Sequence, residues 1–462
     1  MWPTENTFDL LLFGLLPLIY VVHRIIRYGV TELVSMRTIG IVFVWMGYHL
    51  SAWIVYITDE RWRNFLLVPS LIDEALLFSS LCMIAFLFGF NVLSEKNTYS
   101  NIYSSKIKNL ELPEINSNWL IWLSLIMIAA FIFRVHGFDE VLRSSVPRGH
   151  LDEQFFGREG GLIEKIRHIV QVLYPIFGIV LACMAALHVL ERRVLTIDRL
   201  MTGVLCLLAG SLEGIWSFSR DAGMPFLIFA FIALWVRGSR ALGFAVAATT
   251  MVYFLGSIGL DQRGNFYPGL ANYMDATVQY ISNEKSYDHE YDGISVDSNP
   301  LGSVEAWTKK ISLLDKDESS GIELIGKFIL RLHPFPSAIV PIPEIGPDLT
   351  VVMNSVGVSG ITTPAFAEIF YALEYGGVIF VFIIGSVIAW FENIARKKPS
   401  AIALVCVLLC FISWPLGLHN GIRAMTRPLL YAYVLYWLSN QYQINMYMKG
   451  RRRTLKALSD KQ

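Results

Sequence analysis

The chain has 462 residues, 54% hydrophobic and 16% charged, with mean hydropathy +0.49 and a formal net charge of zero. A soluble domain carries about 25% charged residues, so a soluble globular class is excluded, and a neutral balance calls for no nucleic-acid partner. The apolar residues fall in long blocks rather than short alternating segments, which excludes a β-barrel and leaves an all-α polytopic membrane protein.

A span needs about 20 mostly apolar residues. Eleven segments qualify: 8–26, 39–57, 71–93, 119–135, 169–190, 200–217, 224–236, 241–260, 365–391, 400–417 and 428–447. Residues 1–7 hold an acid and no base, so they read as a short translocated tail and not as a signal peptide. Lys449, Arg451, Arg452 and Arg453 make 448–462 a basic tail. With that tail cytoplasmic, Arg24, Arg27, Arg37, Arg192, Arg193, Arg199, Arg396, Lys397 and Lys398 fall on the same side. The N-terminus is then outside, the C-terminus inside, and residues 1–462 form a single integral membrane domain. The cysteines Cys82, Cys183, Cys206, Cys406 and Cys410 all lie inside spans and read as small packing residues.

Two connections on the outer side are long, 136–168 and 261–364. The second is the larger, 104 residues with 14 acidic and 7 basic side chains, and it faces the periplasm of a bacterial cell in this topology. Within it, Ser320 and Glu323 form a capping-box pattern ahead of Ile322, Ile325, Phe328, Ile329 and Leu332, which share one helical face. An amphipathic helix over 321–333 is expected, lying on the membrane surface or across the mouth of the bundle. The prolines from Pro334 to Pro347 stop it.

Charges at the outer ends of spans carry the chemistry, because a charge in lipid is costly and faces a cavity or a partner. In chain order these are Arg134, His136, Glu213, Arg220, Asp221, Arg263, Arg331, His333, Glu368, Glu374, His419, Arg423 and Arg427. A terminal arginine such as Arg134 or Arg427 also reads as snorkelling to headgroups, Glu213 as an internally paired acid, and a lone histidine as a structural one. As a set, Arg220, Arg263, Arg423 and Arg427 suit an anionic ligand, since the guanidinium fork matches phosphate oxygens. Asp139-Glu140 and Asp152-Glu153 lack a third ligand for a metal, and Val356-Gly-Val-Ser359-Gly lacks nucleophile-elbow spacing.

Three stretches resemble the Wzy-type oligosaccharide repeat-unit polymerases, a family that includes O-antigen polymerases. They are Ser219-Arg220-Asp-Ala-Gly-Met before a span, Gly360-Ile-Thr-Thr-Pro-Ala-Phe-Ala-Glu368 leading into one, and His419-Asn-Gly-Ile-Arg423-Ala-Met-Thr-Arg427-Pro. The resemblance covers residues 205–440. It implies a glycosyltransferase C-like bundle, an undecaprenyl-diphosphate-linked oligosaccharide as substrate, and metal-independent transfer without a cofactor at the periplasmic face of the inner membrane. A chain-length regulator protein is a partner of such enzymes. On this reading Arg220, Arg263, Arg423 and Arg427 hold the diphosphate, and the base is one of Glu368, His333 and His419. An O-antigen ligase, or a lipid-linked oligosaccharide flippase, fits the same topology.

Overall fold

A computed structural model describes residues 6–50, 52–53, 69–93, 116–145, 162–190, 196–261, 267–282, 321–332, 365–397 and 401–459. Those residues are helical, with no strand among them. Six of the described helices are long and apolar enough to cross a membrane: Thr7–Tyr28, Leu71–Leu93, Ser117–Arg134, Ile169–Leu190, Ile197–Trp216 and Ala365–Arg396. Their flanks expose large apolar side chains, among them Ile19, Ile26, Phe88, Trp119, Trp122 and Ile379. Water would not tolerate such surfaces, and hydrocarbon does.

The chain divides into two compact units, one built from 1–27, 35–98 and 299–462, the other from 28–34 and 99–298. The expected outer loop 261–364 is therefore shared between the units. Its acidic centre, Glu284 to Glu318, lies outside the described residues.

In the first unit, the Pro69–Leu93 and Gly377–Lys397 helices pack most closely. Two glycines make this contact. A Cβ on Gly89 would sit 2.1 Å from the Phe382 carbonyl oxygen, and one on Gly385 would sit 2.6 Å from that of Phe86. Backbones approach this closely only where side chains are missing. Ser386 adds a hydrogen bond to the Gly89 carbonyl at 3.1 Å. Aromatic rings fill the adjoining core, where Phe366 contacts Tyr48, Phe78 and Trp414.

Residues 401–459 are helical throughout, but they do not form one straight rod. The Cys406 thiol donates to the Ala432 carbonyl at 3.2 Å across 26 residues, which a straight helix would separate by roughly 39 Å. The chain reverses between them, and Gly421, at φ +84°, stands at the turn. The two halves carry the residues expected as spans 400–417 and 428–447; in the first, Ile402–Trp414 is an apolar helix shorter than the six above.

The second unit packs Ser117–Arg134, Leu162–Leu190 and Ile197–Trp216 around a core that includes Phe131, Tyr174, Cys206 and Trp216, with Met224–Arg237 against Leu162–Leu190 and Leu242–Asp261 against Met224–Arg237. A further helix, Leu270–Ser282, stands near the start of the expected outer loop 261–364. It buries Tyr273 and Ala276, three residues apart on one face, and the Tyr273 hydroxyl donates to the Leu255 carbonyl.

Two basic residues counted as cytoplasmic loop charges are interior instead. Arg37 is 1% exposed, donates to the Tyr20 hydroxyl and lies over the Phe90 ring. Arg396 pairs with the buried Glu392, whose other oxygen accepts the Met36 backbone N–H at 3.0 Å.

Gly89→Ala and Gly385→Ala should each cost about 1–3 kcal/mol through overpacking, read as a lower unfolding temperature in detergent. Gly243→Ala, whose Cβ would meet nothing within 4 Å, is the matched control and should unfold no earlier than wild type. An unchanged Gly89→Ala variant would contradict the close helix contact.

Candidate functional site

The site forms where three pieces of the first unit meet: the end of the Gly321–Arg331 helix, the start of Ala365–Leu373, and the turn at Gly421. Each has a local cause. The first helix carries its cation in the last turn, where the macrodipole favours it. Of its expected apolar face only Phe328 is buried, edge-on against Phe380, while Ile322, Ile325 and Ile329 are exposed. Ser320 lies outside the described residues, and Glu323 pairs with Lys327 at 3.0 Å.

Glu368 lies in the first turn of its helix and is 3% exposed. A carboxylate so buried must be paired and hydrogen-bonded. One oxygen takes an ion pair from Arg331 Nη1. The other accepts the backbone N–H of Ile422 at 2.8 Å. That N–H needs an acceptor because the left-handed Gly421 interrupts the helical ladder just before it. Gly421 is required twice over: its φ suits glycine alone, and a Cβ there would come within 3.0 Å of the Glu368 carboxylate.

The restarted helix carries Arg423, Arg427 and Tyr431 at intervals of four residues, hence along one face. Both arginines are half-buried. Burial, followed by the positive charges of Arg427 and Arg331, pushes the Arg423 guanidinium down to about 10, and Tyr431 opposes the shift. Arg427 is lowered too, by burial, against the same tyrosine. Both remain cations at neutral pH. Three guanidiniums thus share one corner with the Glu368 carboxylate, an arrangement suited to a multiply charged anion.

Of the residues singled out in the sequence, this corner brings together Arg331, Glu368, Arg423 and Arg427. Arg220 opens the short turn Arg220–Gly223 in the second unit, with its side chain outside the described part. His419 lies in the helix just before Gly421, and its side chain is likewise undescribed. Arg263 and His333 fall outside the described residues. Arg134 does not snorkel: it is 4% exposed and pairs with Glu213 inside the second unit. His136 meets Arg167 at 3.0 Å on the surface. Glu374 is exposed in a short turn at φ +48°.

Two parts of the site carry weak sequence signals. Asn420-Gly421 inside an apolar run is a breaker, and it marks the turn. Tyr431 falls inside the last span and nothing in the sequence sets it apart. The mid-span His49 is another buried polar group without an obvious flag. It sits in the π-helix Trp45–Leu50, with Nε2 3.2 Å from both Ser79 Oγ and Ser80 Oγ. Each serine hydroxyl also lies within hydrogen-bond distance of the Leu76 carbonyl.

No protein-family model matches the chain, and no curated protein or solved structure matches it.

Glu368→Ala would strand both the Ile422 N–H and Arg331 in a buried setting, at a cost of about 3 kcal/mol. Gly421→Ala should lose about 1–2 kcal/mol from its left-handed backbone alone. Thermal unfolding in detergent reads both, and Glu368→Gln, which keeps an acceptor for the N–H, should fall between Glu368→Ala and wild type. Wild-type stability of Glu368→Ala would contradict the bridging role.

Proposed function

We propose that the protein is a polymerase of lipid-linked oligosaccharide repeat units. In this reading it is an eleven-span protein of the bacterial inner membrane, with the cationic corner at its periplasmic face. The growing glycan is transferred from undecaprenyl diphosphate to a hydroxyl of an incoming lipid-linked repeat. The sequence resemblance supports this, and so does one observation above the rest: Arg423 and Arg427 lie on one helix face, with Arg331 close enough to act on Arg423 electrostatically.

The chemistry needs such a corner. The bond from the sugar anomeric carbon to the diphosphate oxygen breaks, and a bond from that carbon to the acceptor oxygen forms. The acceptor proton passes to a base, and undecaprenyl diphosphate leaves with the electron pair. Negative charge gathers on the leaving oxygens, so fixed cations out of bulk water lower the barrier. Arg423 and Arg427 take that charge. The base is drawn from His333 and His419, since both oxygens of Glu368 are engaged by protein donors. Glu368 holds the corner in shape.

Purified protein incubated with a lipid-linked repeat unit alone should yield a ladder of products, with and without chelator. Arg427→Ala or Arg423→Ala should lower turnover about 10²–10³-fold at matched protein levels, and Lys at either position should restore little because the fork is lost. Wild-type ladders from both alanine variants would contradict the assignment. Product on lipid A instead of undecaprenyl diphosphate would identify a ligase, and movement of the lipid without new bonds a flippase.

A further inference from the structure

We infer that Arg331 is a third ligand of the diphosphate, set in place by Glu368, and that the corner selects a diphosphate over a single phosphate. The inference deepens the functional reading above and rests on it for the identity of the donor lipid.

Three observations carry it. The Arg331 positive charge is among those acting on Arg423, so the two guanidiniums are neighbours although they come from different elements. Arg331 contacts Glu368 through Nη1, while its Nε is buried with no hydrogen-bond partner among the described residues. A guanidinium has five N–H donors in a fixed fork, so one edge can serve Glu368 while the rest serve a second acceptor. The third observation is the carboxylate itself. Its two oxygens face Arg331 and the Ile422 N–H, so it fixes the Arg331 side chain against the same turn that sets the direction of Arg423 and Arg427.

The chemistry of the ligand follows. Arg423 and Arg427 are one turn apart, with Cβ atoms about 5–6 Å from each other. Arg331 approaches from a second element. A diphosphate spreads its charge over two phosphoryl groups and offers each guanidinium its own oxygens, which a single phosphate cannot do. Glu368 acts through Arg331, which makes it a positioning residue.

The test uses the full-length protein in detergent, titrated calorimetrically with inorganic pyrophosphate and with inorganic phosphate. A parallel arm measures retention of undecaprenyl diphosphate in nanodiscs. Wild type should bind pyrophosphate more tightly than phosphate. Arg331→Lys keeps the charge beside Glu368 but loses the fork, and it should bind pyrophosphate about tenfold more weakly, the loss of one charge-assisted hydrogen bond. It should lose undecaprenyl diphosphate in like proportion, which places the effect on the headgroup.

Arg143→Gln removes an exposed cation of the second unit and should bind as wild type does. Glu368→Gln should weaken pyrophosphate binding in the wild-type background and add nothing to Arg331→Lys. A purely structural Glu368 would weaken both backgrounds alike. The inference is overturned if Arg331→Lys binds pyrophosphate as wild type does, if Arg143→Gln loses as much, or if phosphate binds as tightly as pyrophosphate. A protein that binds pyrophosphate through Arg331 but makes no ladder keeps the anion site and loses the polymerase reading. A wild-type ladder and donor KM in Arg331→Lys would do the reverse.

Discussion

The first unit depends on two buried carboxylates carried by one membrane-length stretch, Ala365–Arg396. Glu368 near its start receives Arg331 and the Ile422 N–H, and Glu392 near its end receives Arg396 and the Met36 N–H. Each caps the beginning of another helix, where backbone donors have no partner of their own, and each is balanced by an arginine. Apolar packing between membrane helices has little direction. The two carboxylates supply it, fixing which helix begins where at either end of the stretch. The close glycine contact between Pro69–Leu93 and Gly377–Lys397 lies between these two points.

The same constraint separates structural charge from chemical charge. In the second unit Arg134 and Glu213 form a buried ion pair beside the Tyr174 hydroxyl, which donates to the Ala209 carbonyl. That pair is balanced and belongs to the core. The corner around Glu368 is composed differently: the carboxylate pairs with Arg331, and Arg423 and Arg427 follow on the helix that it caps. Bringing like charges together is unfavourable, and a bound anion relieves it. In the proposed reaction that anion is the leaving diphosphate, which carries more charge in the transition state than in the substrate, where preorganised cations act on rate.

Much of this was legible in the residues themselves. Spans declare themselves because lipid demands continuous apolar length, and Glu368, Arg423 and Arg427 stood out as charges at span ends. What pairs with them was not legible, since the partner of Arg134 is 79 residues away (213 − 134) and that of Glu368 is 37 away. Glu392 and Arg396 sit four apart on a helix, yet the sequence read Arg396 as a loop charge, because burial depends on what packs over it. The Leu270–Ser282 helix escaped notice because its buried face is only Tyr273 and Ala276 wide. His49, in the π-helix Trp45–Leu50, meets Ser79 and Ser80, partners some 30 residues away for which local sequence has no sign.

The central claim is that a carboxylate-held turn aims arginines at a lipid-linked diphosphate. An electron-microscopy map of the full-length protein in nanodiscs with undecaprenyl diphosphate tests it most directly. The account predicts diphosphate density within hydrogen-bond distance of Arg423, Arg427 and Arg331, with Glu368 still accepting the Ile422 N–H. Diphosphate bound away from these side chains, or a turn at Gly421 that Glu368 does not touch, would contradict it.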